Sequence, residues 1–219
     1  MARTAYQQQL EGLRADVLEM SDVVYGRLRA ALEALESGDV RRAERVIQGD
    51  EEINRLYLEL EGECIELFAL QQPVAGDLRF IASSFKIVTD LERVGDLAAN
   101  LGRYTTEAGY DSYPNVDVGA IGDHALASLE MAMNAYARDD VAASHEVAAM
   151  DDHLDERCED ASTAIIRDLL AREMAEEAIL EEVTRTLLVI RDLERVGDHA
   201  VNVAARTLYM VENDDALLY

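Results

Sequence analysis

The chain has 219 residues, 49 % of them apolar, enough for one large domain or two compact halves with a real core. Forty-five Asp and Glu stand against twenty Lys and Arg, a net charge of −25, which argues against nucleic acid as a direct partner. Three Phe and no Trp, among abundant Ala, Leu, Val, Glu and Arg, is the make-up of helices packed side by side rather than of a sheet.

From the N-terminus, "MARTAYQQQLEGLRADVLEM" has no apolar signal region, and no apolar run approaches the roughly 20 residues that span a bilayer. A cytoplasmic chain is expected, able to sit on a membrane partner. Leu10, Leu13, Val17, Met20, Val24, Leu28, Leu32 and Leu35 recur at three and four, which predicts one long helix over residues 5–36. "ESGD" ends it. A second helix is expected over residues 40–70, and Pro73 opens a third that continues past Leu101. The weak stretch "EAGYDSYPNVDVG" follows, and then the three-segment scheme returns over residues 121–137, 141–170 and 175–211. The fold class read from this is all-α, two tandem antiparallel three-helix bundles with boundaries at 1–110 and 115–219. Cys64 and Cys158 stand alone, outside any metal or disulfide spacing, as in a reduced cytoplasm.

The phrase "DLERVGD" occurs twice, from Asp90 to Asp96 and from Asp192 to Asp198, an offset of 192 − 90 = 102. The match extends to Ala98 with Ala200 and Asn100 with Asn202, so the chain carries an internal duplication. "GDEEIN" from Gly49 and "MDDHLD" from Met150 also correspond, at an offset of 151 − 50 = 101. On a helical wheel Phe80, Ile87, Val94, Ala98 and Leu101 share the core stripe with Leu91, while Glu92, Asp96 and Asn100 lie on the opposite side. The carboxylates are therefore expected to look outward, and Glu194, Asp198 and Asn202 inherit the arrangement.

Like charges at i and i+4 cost a few tenths of a kcal/mol, so repeating them twice invites a cation. Oxygen ligands one turn apart suit hard or borderline metals, with Asn adding a neutral oxygen. Asp50 with Asn54, and Asp151 with Asp155, have the same spacing and can approach from the neighbouring helix. The competing readings are a solvated acidic face neutralised by Arg93 or Arg103, and, for Asp50 and its relatives, helix N-terminal acids favoured by the dipole. Gly95 and Gly197 sit mid-helix, at about 1 kcal/mol each relative to Ala, which predicts close approach of another backbone. His199 replaces Leu97 and is read as structural or surface.

Together "RVIQGDEEINRLYLELEGECIELFALQQPVAGDLRFI", "DLERVGDLAANL" and "DLERVGDHAVNVA" resemble PhoU, the family of phosphate-uptake regulators, over nearly the whole chain. The resemblance implies two tandem three-helix bundles, and metal such as iron, zinc, manganese or magnesium held on the surface by Glu92 with Asp96 and Glu194 with Asp198. It further implies a homodimer and a non-enzymatic role: restraint of phosphate uptake and starvation signalling through the ATPase of the phosphate ABC transporter and, in many bacteria, a membrane sensor kinase. The chain departs from the usual pattern in its acidity and in "AREMAEEAIL", which lacks the QQP of the first half. Two rivals stand beside this reading. One keeps the fold and regulates a different phosphate or cation transporter. The other is a di-iron carboxylate enzyme, which expects Glu-x-x-His pairs, and none of the four His has a Glu three residues before it.

Only Lys86 among the basic residues is a lysine. A surface rich in carboxylates and nearly free of lysine is what a haloarchaeal-like cytoplasm of very high salt favours; the alternative is an ordinary acidic cytosolic protein. Between about 0.1 M and 1 M salt the Debye length falls from about 10 Å to about 3 Å, so self-repulsion is screened and the melting temperature should rise. A melting temperature flat across that range in a thermal scan would contradict the high-salt reading.

Overall fold

The periodic apolar residues between Leu10 and Leu35 form one helix, α1 (Ala2–Ser37), in the computed structural model, which describes residues 2–70, 74–107, 113, 116–171 and 177–218. Gly38 then takes a left-handed φ of +64°, and Asp39 accepts the Arg42 amide at 3.1 Å to cap α2 (Val40–Gln48). The second half repeats this corner 101 positions on, since 139 − 38 = 101. There Asp139, at φ 54°, ends α5 (Val118–Arg138), and Asp140 accepts the Ala143 amide at 3.0 Å at the start of α6 (Val141–Ala171). Asp tolerates the left-handed position because its short side chain bonds locally, so Gly is not required there.

The helix expected over residues 40–70 is broken. Gly49 separates α2 from α3 (Asp50–Leu70), and its amide is shared between the Arg45 and Val46 carbonyls at 3.1 and 3.2 Å. A side chain at Gly49 would collide with the Arg27 guanidinium, which donates to the Arg45 carbonyl at 3.2 Å and to Glu52 at 2.8 Å. The bend is thus held by an arginine from α1, a contact periodicity does not encode. Met150 occupies the same place in the other half, and α6 runs through it unbroken. The remaining helices are α4 (Ala75–Thr106) and α7 (Glu177–Glu212); Pro73 and residues 172–176, where the expected α4 and α7 starts fall, lie outside the described residues.

Among the described residues there are seven helical segments in two halves, α1 with α2, α3 and α4, then α5, α6 and α7. Each half is a three-helix bundle when α2 and α3 are counted as one bent helix. The halves share one continuous core: α4 packs on α7 and α1 on α5, with α2 and α3 flanking one side and α6 the other. Phe80, Ile87, Leu91, Val94, Ala98 and Leu101, the stripe read from the sequence, are all buried. Arg14 ties the halves together. It donates to the Tyr136 carbonyl at 2.9 Å, where the C-terminal dipole of α5 favours a cation, and it lies over the Phe80 and Tyr136 rings.

α4 and α7 cross antiparallel, and the repeated phrase meets itself there reciprocally. Asn100 and Tyr104 of α4 donate to Asp192 of α7 at 3.2 and 3.0 Å, while His199 and Asn202 of α7 reach Asp90 of α4 at 2.9 and 3.2 Å. Asp192 has no exposure and also takes Arg191 at 2.8 Å; Asp90 keeps 16 %. A buried carboxylate is tolerable only when its lone pairs are filled. Removing Asp192 strands the Tyr104 hydroxyl and the Asn100 amide, so Asp192→Ala should lower the unfolding free energy in urea by about 1.5–3 kcal/mol, and Asp90→Ala by about 1 kcal/mol. Equal, negligible losses for the two would show that this clasp does not hold the halves together.

Candidate metal centre

α4 carries its core stripe on one side and an exposed strip with Lys86, Arg93 and Arg103 on the other, and the start of α3 covers the flank between them. Ile53 occupies the notch at Gly95, where an added Cβ would come within 2.8 Å of its terminal carbon. The close approach expected at the mid-helix glycines is thus made by a side chain. Gly197 is the same: Leu154 and the Asp151 carboxylate would stand 2.5 and 2.6 Å from an added Cβ. Backbone approach occurs instead at Gly102, where an added Cβ would stand 3.1 Å from the Ala43 carbonyl oxygen.

The crossing corrects the outward-facing expectation for Glu92, whereas Asp198 in the second half is exposed as expected. Glu92 is only 18 % exposed and Asp96 42 %, and both share a half-buried face with Asp50 of α3. Burial raises the Glu92 carboxyl above its usual range, and the Asp96 charge raises it further. Asp50 is raised by burial and by Asp96, then lowered by Arg103, by the Asn54 amide at 3.3 Å and by Arg27. Arg93 lies 3.5 Å from Glu92 and 3.4 Å from Asp96.

In the second half Asp151 and Asp155 of α6 face Glu194 and Asp198 of α7. Asp151 is pushed up from 3.8 to about 7 by burial, then by Asp155, Asp198, Asp152 and Glu194, and its Oδ1 is buried without a hydrogen-bond partner. Glu194 and Asp155 are also raised, by burial first and Asp155 or Asp198 next.

Asn100 and Asn202 use their amide nitrogens outside the predicted column. Their amides are spent on Asp192 and Asp90 across the α4–α7 crossing, because the helix face that looked free on a wheel is taken by the other half. The sequence reading also passed over Asp90 and Asp192, although both open the repeated phrase. His199 proves structural, held 2.9 Å from Asp90. Asp50 does start a helix, so the dipole accounts for its acidity, whereas Asp151 lies inside α6, where no free amides remain.

As placed, no three His, Cys, Asp or Glu side chains among the described residues converge tightly enough to hold an ion. The second half nevertheless fits one: a donor set of carboxylate oxygens, one of them orphaned and buried, in a notch that Gly197 keeps open. Closing on an ion requires those side chains to rotate inward.

The duplicated three-helix unit is shared with a class of regulatory accessory proteins that are not enzymes. The PhoU domain family model matches residues 17–105 and 118–207, one match per half. A curated relative from Pseudomonas putida, a phosphate-specific transport system accessory protein PhoU homolog, is 33 % identical over 213 residues, 96 % of this chain and 82 % of the relative. The Escherichia coli phosphate-specific transport system accessory protein PhoU is 28 % identical over 212 residues, 96 % and 86 % of the two chains. The crystal structure of PhoU from Pseudomonas aeruginosa superposes with a TM-score of 0.89 at 31 % identity, covering 95 % of this chain and all of that one. The phosphate transport system regulatory protein PhoU from Streptococcus pneumoniae gives 0.87 at 26 %, covering 95 % and 98 %. The chain belongs to the PhoU family.

The raised Asp151 carboxyl gives a pH test. Its folded pKa of about 7 lies above the ordinary 3.8, so its contribution to stability is complete below about 4 and is lost as the pH rises through 7. In chelator, Asp151→Asn should therefore melt above wild type at about pH 8, with the gap closing toward about pH 4. Parallel melting curves for the two proteins would show that Asp151 is not crowded by its neighbours.

Proposed function

We propose that this chain is a negative regulator of phosphate uptake and phosphate-starvation signalling, working as an adaptor on a phosphate-specific transport system. The observation that carries this is the match of both halves to the PhoU domain, together with relatives named as accessory proteins of that system. In this reading the partner is the ATPase subunit of the phosphate ABC transporter, on the cytoplasmic face of the membrane. Among the described residues no helix is long and apolar enough to cross a bilayer, so membrane contact would run through the transporter. A homodimer and a membrane sensor kinase as second partner belong to the same proposal.

The acidic faces give the adaptor its ion dependence. Iron, zinc, manganese or magnesium bound there would neutralise the carboxylates and bind α3 to α4, or α6 to α7. Glu92, Asp96 and Asp50, and on the other side Glu194, Asp198, Asp151 and Asp155, supply the oxygens; Asn54 orients Asp50. Carboxylate sites discriminate poorly among divalent cations, so availability sets the occupant.

Deleting the gene should leave phosphate uptake or starvation-induced reporters active in phosphate-replete medium. Unchanged phosphate reporters, together with altered uptake of another ion, would replace this reading with regulation of a different transporter.

A further inference from the structure

α3 is apolar on two faces. Ile53, Leu60, Cys64 and Leu67 bury one of them in the core of the molecule. On the other, Leu58 is 62 % exposed, Ile65 56 % and Phe68 37 %, and Ala69 is exposed as well. Leu58, Gly62, Ile65 and Ala69 fall within about 60° of one another on a helical wheel, a seam about 16 Å long with Phe68 at its edge. In a chain with 45 Asp and Glu, such a line of apolar side chains in water marks a contact, because a helix apolar on both sides is one with neighbours on both.

The borders of the seam are acidic. Glu59 and Glu66 run along one side and Glu61 along the other, and Arg55, the single cation of α3, is tied to Glu59 at 2.9 and 3.1 Å. The second half does not repeat this. At an offset of 101, α6 keeps Ile166 for Ile65, but Glu159 stands for Leu58 and Arg167 for Glu66, so the line is interrupted and its border carries a positive charge.

The charges choose the occupant. A second copy of the chain would set Glu59, Glu61 and Glu66 against carboxylates of the same kind, with Arg55 already engaged, and an anionic lipid surface is repelled by the same three. A helix is the shape that meets a seam of this spacing, because its own i, i+3, i+4 and i+7 side chains lie in a matching line. We propose that the outer face of α3 is the docking surface for an amphipathic helix of a partner protein, one whose apolar stripe is bordered by Lys or Arg. The assignment goes beyond the adaptor reading: it places a contact on α3 and holds whichever transporter the partner serves.

A labelled peptide of about 21 residues, three heptads with Leu at a and d and Lys at e and g, tests this by fluorescence anisotropy against the full chain in about 0.15 M and about 1 M NaCl. Leu58→Gln/Ile65→Gln should weaken binding at least about tenfold. The same change on α6, Ile166→Gln/Leu170→Gln, should alter it less than about twofold, with circular dichroism confirming that each protein stays helical. Glu59→Gln/Glu66→Gln should weaken binding in the lower salt, whereas Glu156→Gln/Glu159→Gln, which removes the same net charge from α6, should not. Equal effects of the α3 and α6 apolar pairs would mean that diffuse charge holds the peptide, and no binding by wild type would mean that the face takes no basic helix; either overturns the proposal. So does a wild-type dimer in light scattering that Leu58→Gln/Ile65→Gln splits, since a second copy would then cover the seam. Each of these outcomes leaves the adaptor reading to its own reporter test.

Discussion

The crossing of α4 and α7 is the constraint on which the rest depends. Each is the third helix of its half, and each packs on the other as well as on its own bundle, so much of either surface is withdrawn from water. Any polar atom carried into that crossing loses its solvent and must find a partner inside the protein. The duplicated phrase solves this by reciprocity. The Asp that opens each copy accepts from the Asn ten positions into the other, so Asp90 with Asn202 and Asp192 with Asn100 close the same contact from opposite ends. Substitutions have broken the symmetry at the edges, where Tyr104 completes one carboxylate and His199 the other.

The same crowding creates the acidic faces. Because α3 and α6 cover a flank of α4 and of α7, Glu92 and Glu194 are drawn partly out of water beside other carboxylates, and both are raised by burial before any neighbouring charge is counted. Glycine at Gly95 and Gly197 is what lets the covering helix come so close, with Ile53 and Leu154 filling the space of the missing Cβ. In the first half Arg93, inside the repeated phrase, and Arg27 and Arg103, outside it, offset part of the repulsion.

Much of the architecture was legible in the sequence because it rests on short-range periodicity and repetition. The apolar spacing fixed the helix of residues 2–37 and the buried stripe from Phe80 to Leu101, and the repeat fixed two halves of one design. Positions of the corner turns followed as well, since Asp39 and Asp140 cap by local bonds to amides three residues on. The acids of the faces could be picked out as i, i+4 pairs on one side of a helix, because that spacing is a property of the helix itself.

Tertiary structure alone decided which side of α4 counts as outside. A wheel divides one helix into core and solvent, but α4 meets α3 on one flank and α7 on the other, so Glu92 became half-buried and Asn100 turned to the other half of the molecule, while Lys86, Arg93 and Arg103 stayed in water. It likewise decided the break at Gly49, which a guanidinium from α1 abuts, and brought Arg27 of α1 and Arg103 of α4 to offset the charge of Asp50 on α3. Sequence set the charges and their spacing along each helix, since those are local. Which charges meet is set by the packing of helices far apart in the chain, because their interaction falls with the distance that packing fixes.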